Sequence, residues 1–170
     1  MLSLGKERLS GRVSVEDIPS GHRFLTSVME AMTEGYEVSI SYQKYTSNET
    51  DRYTLRPYAV KEFAKRWYLI GYCLERKAMR VYGLDRVRHL ELSDKKFRMP
   101  AGFDVDEFFA TSFGIYIAES PGQTITFRTS PTEARFLRDL PIHKSQQEIA
   151  SDKDSVTFSN SSYSGVVSIF

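Results

Sequence analysis

Residues 66–88, RWYLIGYCLERKAMRVYGLDRVR, constrain this chain more than any other stretch. Residues 66–73 and 79–87 are rich in apolar, β-branched and aromatic side chains. The polar link between them, Glu75, Arg76 and Lys77, is short. Two such runs around a tight charged turn predict a β-hairpin. Side chains alternate across a strand. The second run therefore sets Arg80, Tyr82, Leu84 and Arg86 on one face and Met79, Val81, Gly83 and Val87 on the other. The first face is basic and aromatic, the second apolar. Arginines beside tyrosines suit an anion that carries flat rings, such as a nucleotide. The simpler use of the same arginines is ion pairing with carboxylates such as Asp85 and Glu75.

Around this hairpin the pattern predicts a mostly β fold with few helices. Residues 1–20 are polar and read as a loosely held leader, with Ser20 as a candidate helix cap. Phe24, Leu25, Val28, Met29 and Met32 fall at helical spacing, and Gly35 is the expected C-terminal glycine of that helix. Its apolar stripe needs cover, most simply one end of a small sheet. Residues 38–42 alternate as a half-buried strand. Residues 52–58 alternate again, with Arg52, Thr54, Arg56 and Tyr58 opposite Tyr53 and Leu55. Pro57 suggests that this strand ends or bends there. Residues 87–92 read as a further strand, with Leu90 and Leu92 inward, and residues 93–96 as a turn. Short strands at this regular spacing predict a small barrel or a strongly bent sheet.

Beyond residue 98 the pattern changes. A short helix over 104–110, capped by Asp104, is expected to bury nearby phenylalanines. Pro121–Gly122 is the candidate domain boundary. A strand over 123–128, a helix over 131–140 with Pro131 in its first turn, and a strand over 155–159 follow. The chain ends in an apolar run, so the C-terminal unit reads as incomplete or paired with something.

The residues exclude more chemistry than they offer. His22, His89 and His143 lie far apart and none has metal-ligand spacing, so no metal is expected. No glycine-rich phosphate loop or nucleophile elbow occurs, and the acidic group Asp104, Asp106 and Glu107 is explained by a helix start. The chain therefore reads as a binding protein, not an enzyme, with no cofactor. Its one cysteine, Cys73, lies within an apolar strand, which suits packing in a reducing compartment and a cytoplasmic location. The net charge of +1 confines any nucleic-acid site to a local patch. What remains for that patch is the set Tyr42, Lys44, Tyr45, Arg52, Arg56, Tyr58, Arg66, Tyr68, Arg80, Tyr82, Arg86 and Arg88.

Four separated motifs in order resemble the WYL domain, a family named for a Trp-Tyr-Leu run that stands here as Trp67, Tyr68 and Leu69. RWYLIGYC with MRVYGLDRV resembles the core of that domain, Ile40–Ser41–Tyr42 its first strand, and Arg56–Pro57–Tyr58 its Arg-Pro segment. Leu84 to Val87 stands where the family has a Leu-Asp-Arg-Ile ending. The likeness covers roughly residues 21–95. A weaker one, carried by ITFRTSPTEARFLRDLP and Ser145–Gln146, links the region after Pro121 to the C-terminal extension found behind WYL domains.

The resemblance implies an α+β, mostly β architecture. A flexible leader over 1–20 precedes a short helix and a small Sm-like, SH3-type β-barrel over 21–97. A linker with a short helix follows over 98–121, then an incomplete α/β extension over 122–170. It also implies the sensing part of a bacterial transcription regulator, which binds single-stranded nucleic acid or a nucleotide-like ligand. Carried over by position, Tyr42, Arg56, Tyr68, Arg80, Tyr82 and Arg86 are the ligand-binding candidates, with Arg80 and Arg86 as phosphate donors and Tyr82 as a stacking or hydroxyl contact. Trp67, Leu69 and Cys73 are expected in the core. Promoter DNA would be contacted only through a helix-turn-helix, which the first twenty residues do not provide. The alternative reading is a protein-interaction or dimerisation module, with a homodimer as its simplest form.

Overall fold

The computed structural model describes residues 21–112, 114–117 and 123–161. The leader, the Ser20 cap, the Pro121–Gly122 boundary and residues 162–170 lie outside the described residues. A short 3-10 turn, His22–Phe24, leads into α1, Leu25–Glu34. The helix ends as its sequence dictates: Gly35 takes φ 73°, and its N–H donates to the Ala31 carbonyl. Val28 and Ala31 are fully buried. Met29, placed on the apolar stripe by spacing, is half exposed instead.

Five antiparallel strands follow: β1 (Tyr36–Gln43), β2 (Thr50–Phe63), β3 (Arg66–Cys73), β4 (Ala78–Gly83) and β5 (Val87–Lys96). They pair in the order β4-β3-β2-β1-β5. The order requires a curled sheet. β4 and β5 are the two edges, four strand spacings apart, which is about 19 Å if the sheet were flat. Yet only Leu84–Arg86 separate them in sequence, and four fully extended residue steps reach about 14 Å. The sheet therefore bends until its edges approach. Among the described residues no ladder joins β4 to β5, so the strands form a strongly bent sheet, one of the two forms the pattern predicts, without closing into a hydrogen-bonded barrel. Leu84, Asp85 and Arg86 form a 3-10 turn across this gap, where the sequence pattern predicts continued strand.

The inside of the curl is the main core. Val38, Ile40, Leu55, Leu69, Cys73, Leu84 and Val87 fill it together with Tyr42, Tyr53 and Tyr82, and α1 covers it with Val28 and Ala31. Cys73 is a free, buried thiol, and Trp67 packs at the edge of this cluster, as expected.

Pro57 does not end its strand. The β1–β2 ladder stops at Leu55, so the missing N–H removes no bond to β1. On the other side the β2–β3 register slips between Pro57 and Ala59. This bulge turns β2 over, so that Tyr53 and Leu55 face the core before it and Val60 after it. Gly71 pairs with Pro57 at the same place. A Cβ on Gly71 would lie 2.5 Å from the Arg56 carbonyl oxygen, so the approach requires glycine. The polar run at 93–96 also stays in a strand. It forms an irregularity in the β1–β5 ladder, not a turn, and Leu92 is exposed beside it.

The outer face of the curl carries a second cluster, in which Ala59 and Ile70 meet Phe109, Phe103 and Phe108. Phe108 and Phe109 lie at the end of α2, Val105–Phe108, whose N-cap Asp104 accepts from the Glu107 N–H at 2.7 Å, as the sequence predicts.

The C-terminal unit has β6 (Thr124–Thr129), α3 (Pro131–Asp139), β7 (Gln146–Ser151) and β8 (Val156–Ser161), paired in the order β6-β8-β7. Ser130 and Glu133 form a reciprocal capping box, with Pro131 opening α3. Ala134, Val156 and Phe158 make its small core. Among the described residues no helix is long and apolar enough to cross a membrane.

Candidate anion-binding site

The curl of the sheet brings three tyrosines from three strands to one place. Tyr42 comes from β1, Tyr53 from β2 and Tyr82 from β4, and all are buried. Tyr42 meets Tyr82 edge to face at 4.9 Å between centroids, and Tyr53 lies 5.4 Å from Tyr82. These rings floor a cavity of about 260 Å³, and the exposed Lys44, Arg76 and Arg80 surround its mouth. The Tyr42 hydroxyl accepts from the Gly83 N–H at 3.3 Å. Burial pushes its pKa up to about 12. Burial also raises the Tyr82 hydroxyl, with a hydrogen bond to Cys73 acting in the same direction.

The Tyr53 hydroxyl is the hub of the mouth. It donates to Asp51 Oδ2 at 2.9 Å and accepts from Arg76 Nη2 at 3.2 Å. Lys44 Nζ reaches the same Asp51 oxygen at 2.6 Å. Hydrogen bonds from Lys44 and then Tyr53 hold the Asp51 carboxyl below its usual value, and Asp51 and Tyr53 raise the Lys44 ammonium. Arg80 Nη1 donates to the Met79 carbonyl at 3.1 Å, its side chain lying at the edge of the sheet.

A second basic and aromatic group adjoins this one at the 3-10 turn. The Arg86 guanidinium lies against two rings, 5.0 Å from the Tyr42 centroid and 4.6 Å from that of Tyr45. Its buried Nε has no hydrogen-bond partner among the described residues. Arg66 Nη1 donates to the Tyr45 hydroxyl at 2.6 Å and to Asp85 Oδ2 at 3.1 Å. Asp85 thus pairs with Arg66, and ion pairing is the use of that arginine. Tyr68 stands beside this group, its hydroxyl raised by burial and then by the Asp85 charge.

Of the six candidates, then, Tyr42, Arg80 and Tyr82 line one cavity. Arg86 is joined to them through Tyr42, and Tyr68 adjoins Arg86. Arg56 stands apart on the outer face of the sheet, where its Nε donates to Glu37 Oε1 at 2.9 Å. Tyr82 is no open stacking surface: the face it shares with Arg80 on β4 turns into the core, leaving only Arg80 in solvent. The apolar Met79 and Val81 pack on the outer cluster. Among the described residues no group of three or more His, Cys, Asp or Glu side chains is placed to hold a metal ion.

The family model of the WYL domain matches residues 23–92. This segment is a WYL domain. Among solved structures it is similar to proteasome accessory factor B/C (PafBC) of Arthrobacter aurescens, at 18% identity and a TM-score of 0.46, over 91% of this chain. The chain spans 23% of the length of that protein. No curated protein matches it.

The signature of this WYL domain divides between functions. Leu69 is fully buried, and the Trp67 indole N–H donates to His22 Nε2 at 3.0 Å, tying β3 to the start of the helix. Sequence reasoning passed over Arg76 and Tyr53. Arg76 lies in the hairpin link, where no alternation exists to orient it. Tyr53 alternates with Arg52 and so belonged to the core face. Only the curl of the sheet brings that face, the link and Lys44 together.

Proposed function

We propose that this chain is the ligand-sensing domain of a transcription regulator, and that it binds a phosphate-bearing nucleotide or single-stranded nucleic acid without catalytic turnover. The observation that carries this reading is the ring of exposed Lys44, Arg76 and Arg80 around a cavity floored by Tyr42, Tyr53 and Tyr82. Guanidinium and ammonium groups at the mouth match phosphate oxygens, and tyrosine hydroxyls add directional contacts. Arg86, with an unsatisfied Nε and its guanidinium against two tyrosine rings, adds a further cation beside this cavity. Promoter DNA would then be engaged by another domain of the regulator, which ligand binding here would bias.

The test is a fluorescence-anisotropy titration with a short labelled single-stranded DNA, at low and moderate salt. Saturable binding that weakens steeply with salt and is lost in the Arg80→Ala/Arg86→Ala double variant supports the reading. Absence of binding at low salt by a folded sample rejects single-stranded DNA as the ligand.

A second reading, self-association, is favoured by one observation. Phe136 and Leu140, four residues apart on α3 and its C-cap, are 70% and 80% exposed. A dimer formed through them would persist at high salt, and sedimentation velocity of the wild type and Phe136→Ser would reveal it.

A further inference from the structure

The cavity's charge and size go further than the general reading. Its mouth carries Lys44, Arg76 and Arg80, and among the described residues the one carboxylate bonded to this group is Asp51. Three positive charges against one negative leave an excess of two. Glu75, next to Arg76 in sequence, is engaged by the Thr54 N–H at 2.9 Å. At about 260 Å³ the cavity is small beside sites that enclose a whole organic ligand, which suits one group of a ligand with the rest outside. A phosphate monoester carries nearly two negative charges at neutral pH and three acceptor oxygens. An internal phosphodiester carries one charge and has a sugar on each side.

Asp51 shows which donors converge beside the cavity. Its carboxylate already draws together Lys44 and the Tyr53 hydroxyl, and Tyr53 in turn holds Arg76. These are the donors that a phosphoryl group needs. The Lys44–Asp51 pair is about half exposed on both sides, so solvent screens it and a dianion displaces it readily.

We infer that the cavity between Tyr53, Lys44, Arg76 and Arg80 recognises a terminal phosphate monoester, on a strand end or a free nucleotide, with Asp51 as its internal competitor. This rests on the ligand-sensing reading above. The test compares three strands of one sequence binding to the full chain: 5′-phosphorylated, 3′-phosphorylated and hydroxyl-ended, each labelled at a terminus free of phosphate. Tenfold or tighter binding of a phosphorylated strand, lost in Arg76→Gln, is the expected result. Circular dichroism confirms the fold of that variant, and Arg80→Gln, at an exposed edge, serves if Arg76→Gln does not fold. Equal binding of all three strands overturns the inference and leaves the general reading standing. Binding of none by the folded protein removes both. Unlabelled nucleoside monophosphate then separates the sources: displacement as effective as by the phosphorylated strand assigns the site to free nucleotides, and displacement by strand ends alone assigns it to cut nucleic acid.

Discussion

Arg56 and Glu37 face each other across neighbouring strands on the outside of the curl, Nε to Oε1 at 2.9 Å, with the Glu37 side chain 5% exposed and that of Arg56 41%. The asymmetry gives the arginine its role. It satisfies a carboxylate that the sheet has buried, and it lies on the opposite face from the tyrosine-floored cavity. Arg56→Ala leaves that carboxylate without its donor and is expected to destabilise the domain by about 2 kcal/mol, at the lower end for buried charged partners because Arg56 itself is solvated. Urea unfolding would measure the loss. Anisotropy under native conditions should show unchanged affinity for the phosphorylated strand, whereas a tenfold loss would return Arg56 to the ligand site.

The two glycines of the hairpin separate strand geometry from site geometry. A Cβ on Gly71 would sit 2.5 Å from the Arg56 carbonyl oxygen, which is backbone held in the β2–β3 ladder. A Cβ on Gly83 would meet Asp85 Oδ1 at 2.6 Å and Arg86 Nε at 3.2 Å, which are side-chain atoms that can yield by rotation where backbone cannot. Gly71→Ala is therefore expected to destabilise by about 3 kcal/mol, near the upper end of overpacking penalties. Gly83→Ala should keep most of the stability and displace Arg86 from the Tyr42 ring, weakening anion binding. Thermal melts of both variants with one binding titration check the ordering, and the reverse order of stabilities would contradict it.

Alkaline pH offers a test of the buried tyrosines. Burial raises the Tyr42 hydroxyl from 10.0 to about 12 in the folded chain, and Tyr82 is raised as well. A raised folded-state pKa means that the native state holds the proton more tightly than the unfolded one. The stability it contributes is complete below pH 10 and is lost as pH rises from 10 towards 12. Two pKa units correspond to about 2–3 kcal/mol for Tyr42 alone. The protein should unfold cooperatively in that window, with tyrosinate absorbance and circular dichroism changing together. Tyr42→Phe should flatten the pH dependence while losing the acceptor for the Gly83 N–H.

Much of this was legible in the sequence, and the parts that were not have one cause. Alternation at 38–42, 52–58 and 79–87 reported which side chains share a face, and Gly35 and Pro131 marked helix ends, because these are local properties. Alternation could not say which face becomes the inside of a curl. Tyr82 and Arg80 share a face of the edge strand β4, yet one is core and the other solvent. Leu84–Asp85–Arg86 continues the strand pattern but forms a turn, because the chain must cross from one sheet edge to the other. β7, QQEIAS, has one exposed isoleucine in a polar run and owes its strand state to pairing with β8. Of the site, the arginines and tyrosines were visible as residue types. Lys44 was visible with them; their grouping, and the entry of Arg76 and Tyr53, belong to tertiary structure.

Asp51 supplies the sharpest discrimination between a cavity that merely carries charge and one shaped for phosphate. Its carboxylate accepts from Tyr53 and Lys44 in the free protein, in the place assigned to phosphate oxygens. Asp51→Asn removes the negative charge and keeps an oxygen for the Tyr53 hydroxyl, so the arrangement of the mouth survives. The expected outcome is a several-fold gain in affinity for the phosphorylated strand, with a smaller gain for the hydroxyl-ended one, since only the former places a second charge among the three cations. The gain should shrink with added salt, because the groups at the mouth are exposed. Unchanged affinity in a folded Asp51→Asn protein would mean that the ligand does not enter between Lys44 and Tyr53. A loss of affinity would mean that the carboxylate holds Lys44 in its binding position instead of competing for it. Titrations of wild type and variant at two salt concentrations distinguish these outcomes.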